Sequence, residues 1–390
     1  MERCAMIFSD HVSAHGRAAP SLGFIVNPVA GMGGSVGLKG TDGEAIVREA
    51  IRRGASPLAG QRAAKAITRL TASLPQVNVL TVAGPMGEQV AREAGIEPSV
   101  LNLSHVGSST SSDTRKAAQS MAELGVDLIL FAGGDGTARD ILSASRNQVP
   151  MLGVPAGVKM HSAVFGTTPA NAGQLAALFL AGSPRALLRD AEVMDLDEDA
   201  IRAGTVSAQL YGYVRSPFER RLVQNAKAGS VPGENEALNA VARQVAEGMR
   251  DGTIYILGPG TTTRRVADAL GIPSTLLGVD AVLDRKVIGL DLNEQALLRI
   301  IGGRQAEILV SVLGGQGSLF GRGNQQISAE VIRRVGRDRI KVISTAEKLI
   351  SLPSGALQVD TGDPEIDTML TGHIPVITGP NRTMLVKVRI

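Results

Sequence analysis

The segment Gly-Gly-Asp-Gly-Thr at residues 133–137 constrains this chain more than any other feature of its sequence. It follows a largely apolar run at 126–132, which predicts a buried strand that ends in a turn. The turn carries one carboxylate, Asp135, among three glycines, whose missing side chains let backbone N–H groups approach an anion closely. A plain structural turn explains a Gly-Gly pair, but the five-residue pattern is more specific. The segment therefore predicts a phosphate-binding turn with Asp135 as its functional side chain.

Size and charge indicate a globular protein of two or three domains. The chain has 390 residues, and its 40 basic residues nearly balance its 37 acidic ones. This balance does not argue for nucleic acid as a partner, and neither do the absence of Trp and the 3% aromatic content. The single cysteine, Cys4, excludes an intrachain disulfide and a cysteine-cluster metal site. We therefore expect a reducing compartment, the cytoplasm, and small phosphorylated ligands remain compatible with the composition.

The N-terminal segment 1–20 does not have the pattern of a secretory signal. Charged and polar residues, among them Asp10, His15 and Arg17, stand where such a signal carries its apolar core. Nor does the sequence contain an apolar stretch of about 18 residues, the length that a membrane span requires. We expect residues 1–20 to be a flexible extension and the protein to have no membrane partner.

Strands and helices alternate over the first 170 residues. Apolar runs at 22–26, 77–82 and 126–131 and the run that begins at 150 predict strands, and the segments between them have helical spacing. This alternation predicts an α/β fold with a parallel sheet. The strands that precede Asp135 and Gly157 would end at the same edge of that sheet, where α/β proteins usually bind ligands.

The pattern changes after residue 186. Apolar and polar residues alternate with period two up to about residue 214, which predicts antiparallel strands and a second, β-rich domain. Further strands are predicted at 253–257 and 308–313, and others near the C-terminus. We expect an N-terminal domain at 21–170, a C-terminal domain at 171–338, and a segment 339–390 that returns to the N-terminal domain.

Two common nucleotide-binding patterns are absent. A P-loop needs a glycine immediately before its lysine, but Lys39 follows a leucine and Lys159 follows a valine. The Gly-x-Gly patterns that begin at Gly31 and Gly258 both lack the third glycine of the dinucleotide-binding fingerprint. The sequence therefore supports neither a Walker-type ATPase nor a standard dinucleotide-binding dehydrogenase.

Three turns in the N-terminal part resemble those of the NAD kinase, diacylglycerol kinase and sphingosine kinase superfamily. Residues 133–137 match its Gly-Gly-Asp-Gly-Thr motif, residues 27–31 its Asn-Pro-x-(Ser/Ala)-Gly turn, and residues 152–157 its third turn. The C-terminal glycine-rich turns, at 257–262 and 314–325, are similar to those of bacterial ATP-NAD kinase-like proteins related to acetoin-catabolism AcoX. On this resemblance the match spans nearly the whole chain.

The resemblance implies a three-layer α/β N-terminal domain, a β-rich C-terminal domain, and ATP or polyphosphate as donor with Mg²⁺. It makes Asp135 the central carboxylate, which either takes the acceptor proton or binds the metal. The residues assigned to phosphate or nucleotide binding are Asn27, Gly31, Gly33, Gly133, Gly134, Gly136, Thr137 and Gly157. Lys159, near them in the sequence, is a further candidate for phosphate, with a solvated surface charge as its plain interpretation.

Further residues near the predicted ligand-binding cleft, at the carboxyl edge of the parallel sheet, have two interpretations, a functional one and a purely structural one. The functional one places these side chains at the acceptor or along the cleft: Lys39, Asp42, Arg139, Thr261, Thr262 and Gln316. Otherwise the charged residues are solvated surface groups and the threonines are helix caps. His161 has no carboxylate at metal-ligand spacing, so the sequence predicts a packing role for it.

We expect a cytoplasmic kinase that moves a phosphoryl group from ATP or polyphosphate to a hydroxyl of a small molecule. NAD is the leading acceptor, which would give NADP. In NAD kinases an Asn-Glu pair reaches the acceptor ribose, whereas the local candidates here, Asn235-Glu236 and Asn239-Ala240, lie in a segment with helical spacing. Two alternatives stay open: a catalytically silent nucleotide-binding regulator, and a kinase for another catabolic metabolite. We also expect a homodimer or tetramer.

Overall fold

The chain forms two compact units. A computed structural model describes the following residues: 19–38, 44–103, 109–158, 160–196, 208–223, 234–313, 317–352 and 355–390. Among these residues, the first unit comprises 19–31 and 57–223, and the second comprises 32–56 and 234–390. All but two residues of the expected extension 1–20 lie outside the described residues.

The first unit is built on a parallel sheet of five strands, as the alternation of the sequence predicts. Its strands are β1 (Ser21–Val26), β2 (Asn78–Val82), β3 (Ser99–Leu101), β4 (Leu128–Gly133) and β5 (Met151–Pro155). Their order in the sheet is β3-β2-β1-β4-β5, and every neighbouring pair is parallel. Every residue of β4 is buried, which explains why this strand has a continuous apolar sequence.

Helices cover both faces of this sheet and complete three layers. They are α2 (Ala59–Ser73), α3 (Glu88–Glu93), α4 (Ser111–Glu123), α5 (Asp135–Ser145) and α6 (Pro169–Leu180); α1 (Glu44–Arg52) belongs to the second unit. Because strand side chains alternate, Leu130 of β4 packs in one core with α2 and α6, and Phe131 packs in another with α4 and α5. The three-layer prediction is confirmed.

A two-stranded antiparallel ribbon follows α6. It consists of β6 (Leu187–Leu196) and β7 (Ala208–Phe218), which agrees with the antiparallel strands that the period-two pattern predicts. Its residues Ala191, Val193 and Val214 are buried in the same core as α4 and α5. The ribbon and α6 therefore lie in the first unit, so the expected boundary at residue 170 falls inside this unit.

The second unit contains a mixed sheet of nine strands, in line with the expected β-rich domain. The strands are β8 (Ile254–Leu257), β9 (Asp280–Leu283), β10 (Lys286–Gly289), β11 (Ala306–Ser311), β12 (Ser318–Phe320), β13 (Ile340–Ile343), β14 (Ala356–Val359), β15 (Gly372–Gly379) and β16 (Arg382–Arg389). Their order is β10-β9-β8-β11-β13-β15-β16-β14-β12. The last four strands of the chain pair within this sheet, so the segment 339–390 does not return to the first unit.

Seven helices of the described chain accompany this sheet. They are α1, α7 (Glu234–Glu247), α8 (Thr261–Leu270), α9 (Glu294–Ile301), α10 (Ala329–Val335), α11 (Ala346–Ile350) and α12 (Pro364–Leu370). The side chains of Asn293, Ser328, Thr345 and Asp363 accept backbone N–H bonds at the starts of α9 to α12 and so define where these helices begin. Over the described residues, every helix is too short or too polar to cross a membrane.

A buried carboxylate joins two strands of the second sheet. Glu307 of β11 is only 4% exposed. Its side chain contacts Arg250, and it contacts Lys341, which lies on β13, at 2.7 Å. Burial alone would raise the pKa of Glu307, but its contacts with Lys341 and Arg250 outweigh burial and hold this pKa below its ordinary value. The carboxylate is therefore a charged crosslink inside the unit.

Replacement of this carboxylate by an amide tests the crosslink. Glu307→Gln is expected to lower the free energy of unfolding by about 2 kcal/mol, because a charge-assisted contact is lost while the partly exposed cations can reach water. Urea unfolding of the full chain measures the change. The matched control is Glu330→Gln, whose partner Arg333 lies in an exposed pair and whose loss should cost less than about 1 kcal/mol. Equal losses for the two variants would contradict a buried crosslink.

The same ion pairs predict a dependence on pH. Because the pKa of Glu307 is lower in the folded protein than its ordinary value of 4.5, its contribution is present above that value and is lost as the pH falls through the folded pKa. The difference in unfolding free energy between the parent protein and Glu307→Gln should therefore shrink between neutral pH and about pH 3. A difference that is constant over this range would refute the assignment.

Candidate active site

Three loops meet at the carboxyl edge of the first sheet. They follow the neighbouring strands β1, β4 and β5 and comprise residues 27–31, 133–137 and 155–157. Main-chain hydrogen bonds join them: the Asn27 N–H donates to the Ala132 carbonyl at 2.9 Å, and two N–H groups of the third loop donate to the Gly133 carbonyl at 3.0 and 3.1 Å. The three turns on which the superfamily resemblance rests are therefore neighbours in space.

Three glycines, Gly31, Gly134 and Gly157, lie where these loops approach one another closely. Gly31 has a φ of +77°, and a Cβ built on it would lie 2.0 Å from the Ala156 carbonyl oxygen. A Cβ on Gly157 would lie 2.8 Å from the Cα of Gly134, and one on Gly133 would lie 2.5 Å from the Thr137 hydroxyl oxygen. Packing of the loops against one another thus requires glycine at positions 31 and 157, whether or not a phosphate binds, whereas the contact of Gly133 lies within its own loop.

The side chains of Asn27 and Thr137 link the first loop to the second. The Asn27 amide nitrogen donates to the Thr137 hydroxyl at 3.0 Å, and its amide oxygen accepts from the Val29 N–H at 3.3 Å. Thr137 is 5% exposed, so this contact lies in the interior of the loop cluster. The structure brings together these two residues, which are 110 positions apart in the sequence.

Helix α5 begins directly at the glycine turn. Gly134 occupies its N-cap position with no side-chain cap, and the N–H of Ala138 makes the first intrahelical bond, to the Gly134 carbonyl. The N–H groups of residues 135–137 precede that bond and have no partner within the helix. Such N–H groups, with the positive end of the helix dipole, make this turn suited to an anion.

Asp135 lies at the first position of α5 but is held by another segment. Its carboxylate accepts the N–H of His161 at 2.7 Å and the N–H of Ser162 at 3.1 Å, and the residue is 6% exposed. The imidazole nitrogen Nδ1 of His161 lies 3.7 Å from the same carboxylate. The sequence prediction of a packing role for His161 missed this neighbour, because the two residues are 26 positions apart.

The remaining candidates are not all at this edge. Lys39, Asp42, Lys159 and Gln316 lie outside the described residues. Arg139 lies on α5, one turn after Asp135. Gly33 lies in the second unit, because the chain passes from the first unit to the second after Gly31.

The segment after Gly31 packs on a glycine-rich turn of the second unit. A Cβ on Gly34 would lie 1.6 Å from the side-chain oxygen of Gln325, so a larger residue at position 34 would require this side chain to move. The N–H of Glu294 at the start of α9 donates to the Ser35 carbonyl at 3.2 Å. The glycine-rich segments 32–34 and 320–325, which are far apart in the sequence, therefore contact each other within the second unit.

The threonine candidates of the second unit start α8. Thr261 is exposed, and neither it nor Thr262 caps the helix; Thr263 instead donates to the carbonyls of Gly258 and Gly260. A groove of about 530 Å³ is lined by residues of α7 and α8, among them Asn239 and Thr261. Asn235-Glu236 and Asn239 lie on α7, as the helical spacing predicts.

The residues at this edge suit a phosphate better than they suit a metal ion. The edge of the first sheet offers backbone N–H groups for phosphate, whereas both oxygens of Asp135 already accept main-chain bonds. Over the described part of the chain, no group of three or more His, Cys, Asp or Glu side chains is placed to hold a metal ion. These residues therefore fit a phosphate and do not identify Asp135 as a metal ligand.

Comparison with solved structures gives weak similarities. A diacylglycerol kinase from Bacillus anthracis str. Sterne is 18% identical over 46% of this chain and 46% of its own, with a TM-score of 0.23. A UDP-N-acetylglucosamine 2-epimerase is 12% identical over 91% of this chain and 72% of its own, also with a TM-score of 0.23. The chain thus spans less than half the length of that diacylglycerol kinase, and TM-scores this low do not establish a shared fold.

Comparison of the sequence with protein families gives a clear result. Among curated proteins none matches the chain. Residues 22–183 match the ATP-NAD kinase N-terminal domain and residues 250–388 match the ATP-NAD kinase C-terminal domain. Together the two matches cover most of the sequence, and their order along it is that of the family. The chain belongs to the ATP-NAD kinase family.

Proposed function

We propose that this protein transfers the terminal phosphoryl group of ATP to a hydroxyl of a small molecule, with NAD as the leading acceptor and NADP as the product. Membership of the ATP-NAD kinase family supports a kinase-type phosphotransferase. One structural observation carries the proposal: the N-terminus of α5 opens where three glycine-rich loops meet, with Asp135 at its first position. Polyphosphate is the alternative donor.

The first unit supplies what phosphoryl transfer demands. The transferred group needs positioning and charge stabilisation more than covalent help from the protein. The N–H groups at the start of α5 are directed at bound phosphate in this proposal, and Asn27 holds Thr137 in place through its amide nitrogen. Asp135 is the essential carboxylate, fixed by two main-chain donors.

A divalent cation, Mg²⁺, neutralises the charge of the donor phosphates when it is bound. Among the described residues no group of three or more His, Cys, Asp or Glu side chains is placed to hold a metal ion, so we propose that the cation would be held mainly by the phosphates of the donor. The chain's own contribution is then the array of N–H groups that orients the donor.

Two other features of the protein belong to the same proposal. We propose a cytoplasmic location, in keeping with the single cysteine, and a homodimer or tetramer. Half-exposed apolar side chains on the β6–β7 ribbon, Leu210, Tyr211 and Tyr213, support self-association. The second candidate function is a nucleotide-binding regulator. The burial of Asp135 supports it, because a buried carboxylate also fits a site that binds a nucleotide without turnover.

An assay for ADP release tests the kinase proposal. The purified full chain is incubated with Mg²⁺ and ATP, or polyphosphate, and with NAD, NADH, sugars or small alcohols. Acceptor-dependent release is expected from the parent, and Asp135→Asn should lower its rate at least about 100-fold because the fixed carboxylate is lost. Asp251→Asn, at an exposed site of the second unit, is the control and should keep the parent rate. ATP or NAD that raises the melting temperature without turnover of any acceptor would favour the regulator.

Replacement of Gly31 tests whether the loop cluster forms the phosphate site. Gly31→Ala must displace the Ala156 carbonyl, which would lie 2.0 Å from the new Cβ, and it should abolish the rise in melting temperature that ATP causes. Gly95→Ala is the matched control, since Gly95 has nearly the same φ, +79°, but no heavy atom within 4 Å of a built Cβ. Both variants carry a backbone strain of about 1–2 kcal/mol, so only Gly31→Ala should lose the response to ATP. A full response in Gly31→Ala would place the phosphate elsewhere.

A further inference from the structure

The groove between α7 and α8 in the second unit is lined by cationic side chains of both helices. Arg243 lies on α7, Arg264 and Arg265 lie on α8, and all three line the same cavity of about 530 Å³. Among the described residues of the lining, Asp268 carries the only negative charge, so three guanidinium groups against one carboxylate leave two excess positive charges. This excess persists at any physiological pH, because arginine does not lose its proton in proteins.

Two of these arginines have no partner within the described part of the chain. Arg243 and Arg264 are exposed and make neither an ion pair nor a hydrogen bond there. Arg265 is half-buried, and its guanidinium donates to the side-chain oxygen of Asn239 on α7. This bond joins the two helices that form the groove, one helical turn before Arg243. The groove therefore combines one fixed guanidinium with two that are available to a ligand.

The electrostatics of α8 do not explain why its arginines lie where they do. Arg264 ends the first turn of the helix and Arg265 follows, near the end where the helix dipole disfavours a cation, and no acidic residue stands in that turn. Helix α9 shows the favourable arrangement, with Arg299 in its last turn. Arg299 lines a different groove, of about 470 Å³. The positive charge near the start of α8 is thus unbalanced unless an anion binds there.

Thr261 connects the α7–α8 groove to the edge of the second sheet. It lines the groove, and the glycine-containing turn 258–260 that precedes it follows β8 directly. Strands β8, β11, β13 and β15 are parallel neighbours, so their carboxyl ends share this edge, where α/β sheets usually bind ligands. Thr263 holds the turn in place, because its hydroxyl donates to two carbonyls of the turn at 2.6 and 3.0 Å.

We propose that the α7–α8 groove is a second binding site, formed by residues of the second unit alone, for the diphosphate group of a small molecule. Guanidinium groups bind phosphate oxygens through paired N–H donors, and available arginines on two helices fit two linked phosphates better than one. Among the described residues that line the groove none is aromatic, so a nucleotide base finds no ring on which to stack. The diphosphate is therefore the group that the site recognises. The site does not depend on phosphoryl transfer, because none of its residues belongs to the loops around Asp135.

Chemical modification of arginine tests the site without any turnover. Phenylglyoxal labels accessible arginines of the full chain, and mass spectrometry of the peptides gives the labelling rate at each position. Pyrophosphate is expected to slow the labelling of Arg243 and Arg264 about 10-fold, whereas sodium chloride of equal ionic strength should not. Arg299 is also exposed and lines the other groove, so it is the internal control and should keep its rate. Unchanged rates at Arg243 and Arg264 would overturn the proposal.

Calorimetric titration with pyrophosphate measures the contribution of each cation. Arg243→Gln and Arg264→Gln should each weaken binding about 10-fold, because each removes a charge-assisted contact by an exposed side chain. Arg299→Gln is the matched control and should bind like the parent. The titrations use the full chain in the Gly31→Ala background and without a divalent cation, so that the loops of the first unit do not contribute. Binding that is equal in all three variants would refute the assignment to this groove.

The protection assay also identifies the source of the diphosphate. ADP and pyrophosphate both carry this group, whereas AMP has a single phosphate and should protect Arg243 and Arg264 only at a concentration about 10-fold higher. Protection by AMP at the pyrophosphate concentration would contradict a diphosphate site. Protection without turnover of any acceptor contradicts the proposed kinase function alone, whereas an active kinase with both arginines unprotected contradicts this inference alone.

Discussion

The arrangement of the loops at the carboxyl edge of the first sheet depends on the hydrogen bonds that the Gly133 carbonyl accepts. This carbonyl accepts N–H groups of the third loop, while the neighbouring Ala132 carbonyl accepts the Asn27 N–H of the first loop. Three chain segments are thereby joined through main-chain atoms, whose positions are fixed by the strands β1, β4 and β5. A side chain at Gly31 or Gly157 would meet the backbone of a neighbouring loop, so these glycines and the sheet register form one constraint.

This constraint gives the glycines two roles at once. The close approach of Gly157 to Gly134 would demand glycine even in a protein that binds no phosphate. Gly134, however, also occupies the N-cap position of α5 and brings no side chain to it. A glycine turn after a buried strand is therefore weak evidence for phosphate binding by itself. The turn is stronger evidence here, because the helix that follows has no side-chain cap and its first N–H groups have no partner within the helix.

The sequence predicts those parts of the fold that depend on local patterns. Continuous apolar runs give the buried parallel strands, and period-two alternation gives the β6–β7 ribbon. Local patterns do not say against which core an element packs. These patterns therefore predict the ribbon in a second domain and the strands of 339–390 in the first. Packing against α4 and α5 instead places the ribbon in the first unit, and strand pairing places 339–390 in the second.

The site shows the same limit. Asp135 and its turn are readable, because five consecutive residues carry the pattern, but the segment that holds the carboxylate is 26 residues away. No spacing rule links Asp135 to His161, since their contact arises from the N–H groups of a loop after β5. The sequence also does not indicate that the chain passes from the first unit to the second after Gly31, because the glycine-rich run continues through Gly34 without a change of composition.

The position of Asp135 also resolves an electrostatic conflict. A carboxylate at the first position of a helix favours the positive end of the dipole, and it would compete there with a phosphate for the same N–H groups. Here the N–H groups of His161 and Ser162 take the carboxylate instead, so its charge is balanced by donors from outside α5. The first-turn N–H groups of α5 then stay available to an anion. A carboxylate and a phosphate can share this edge of the sheet only because two different segments supply their donors.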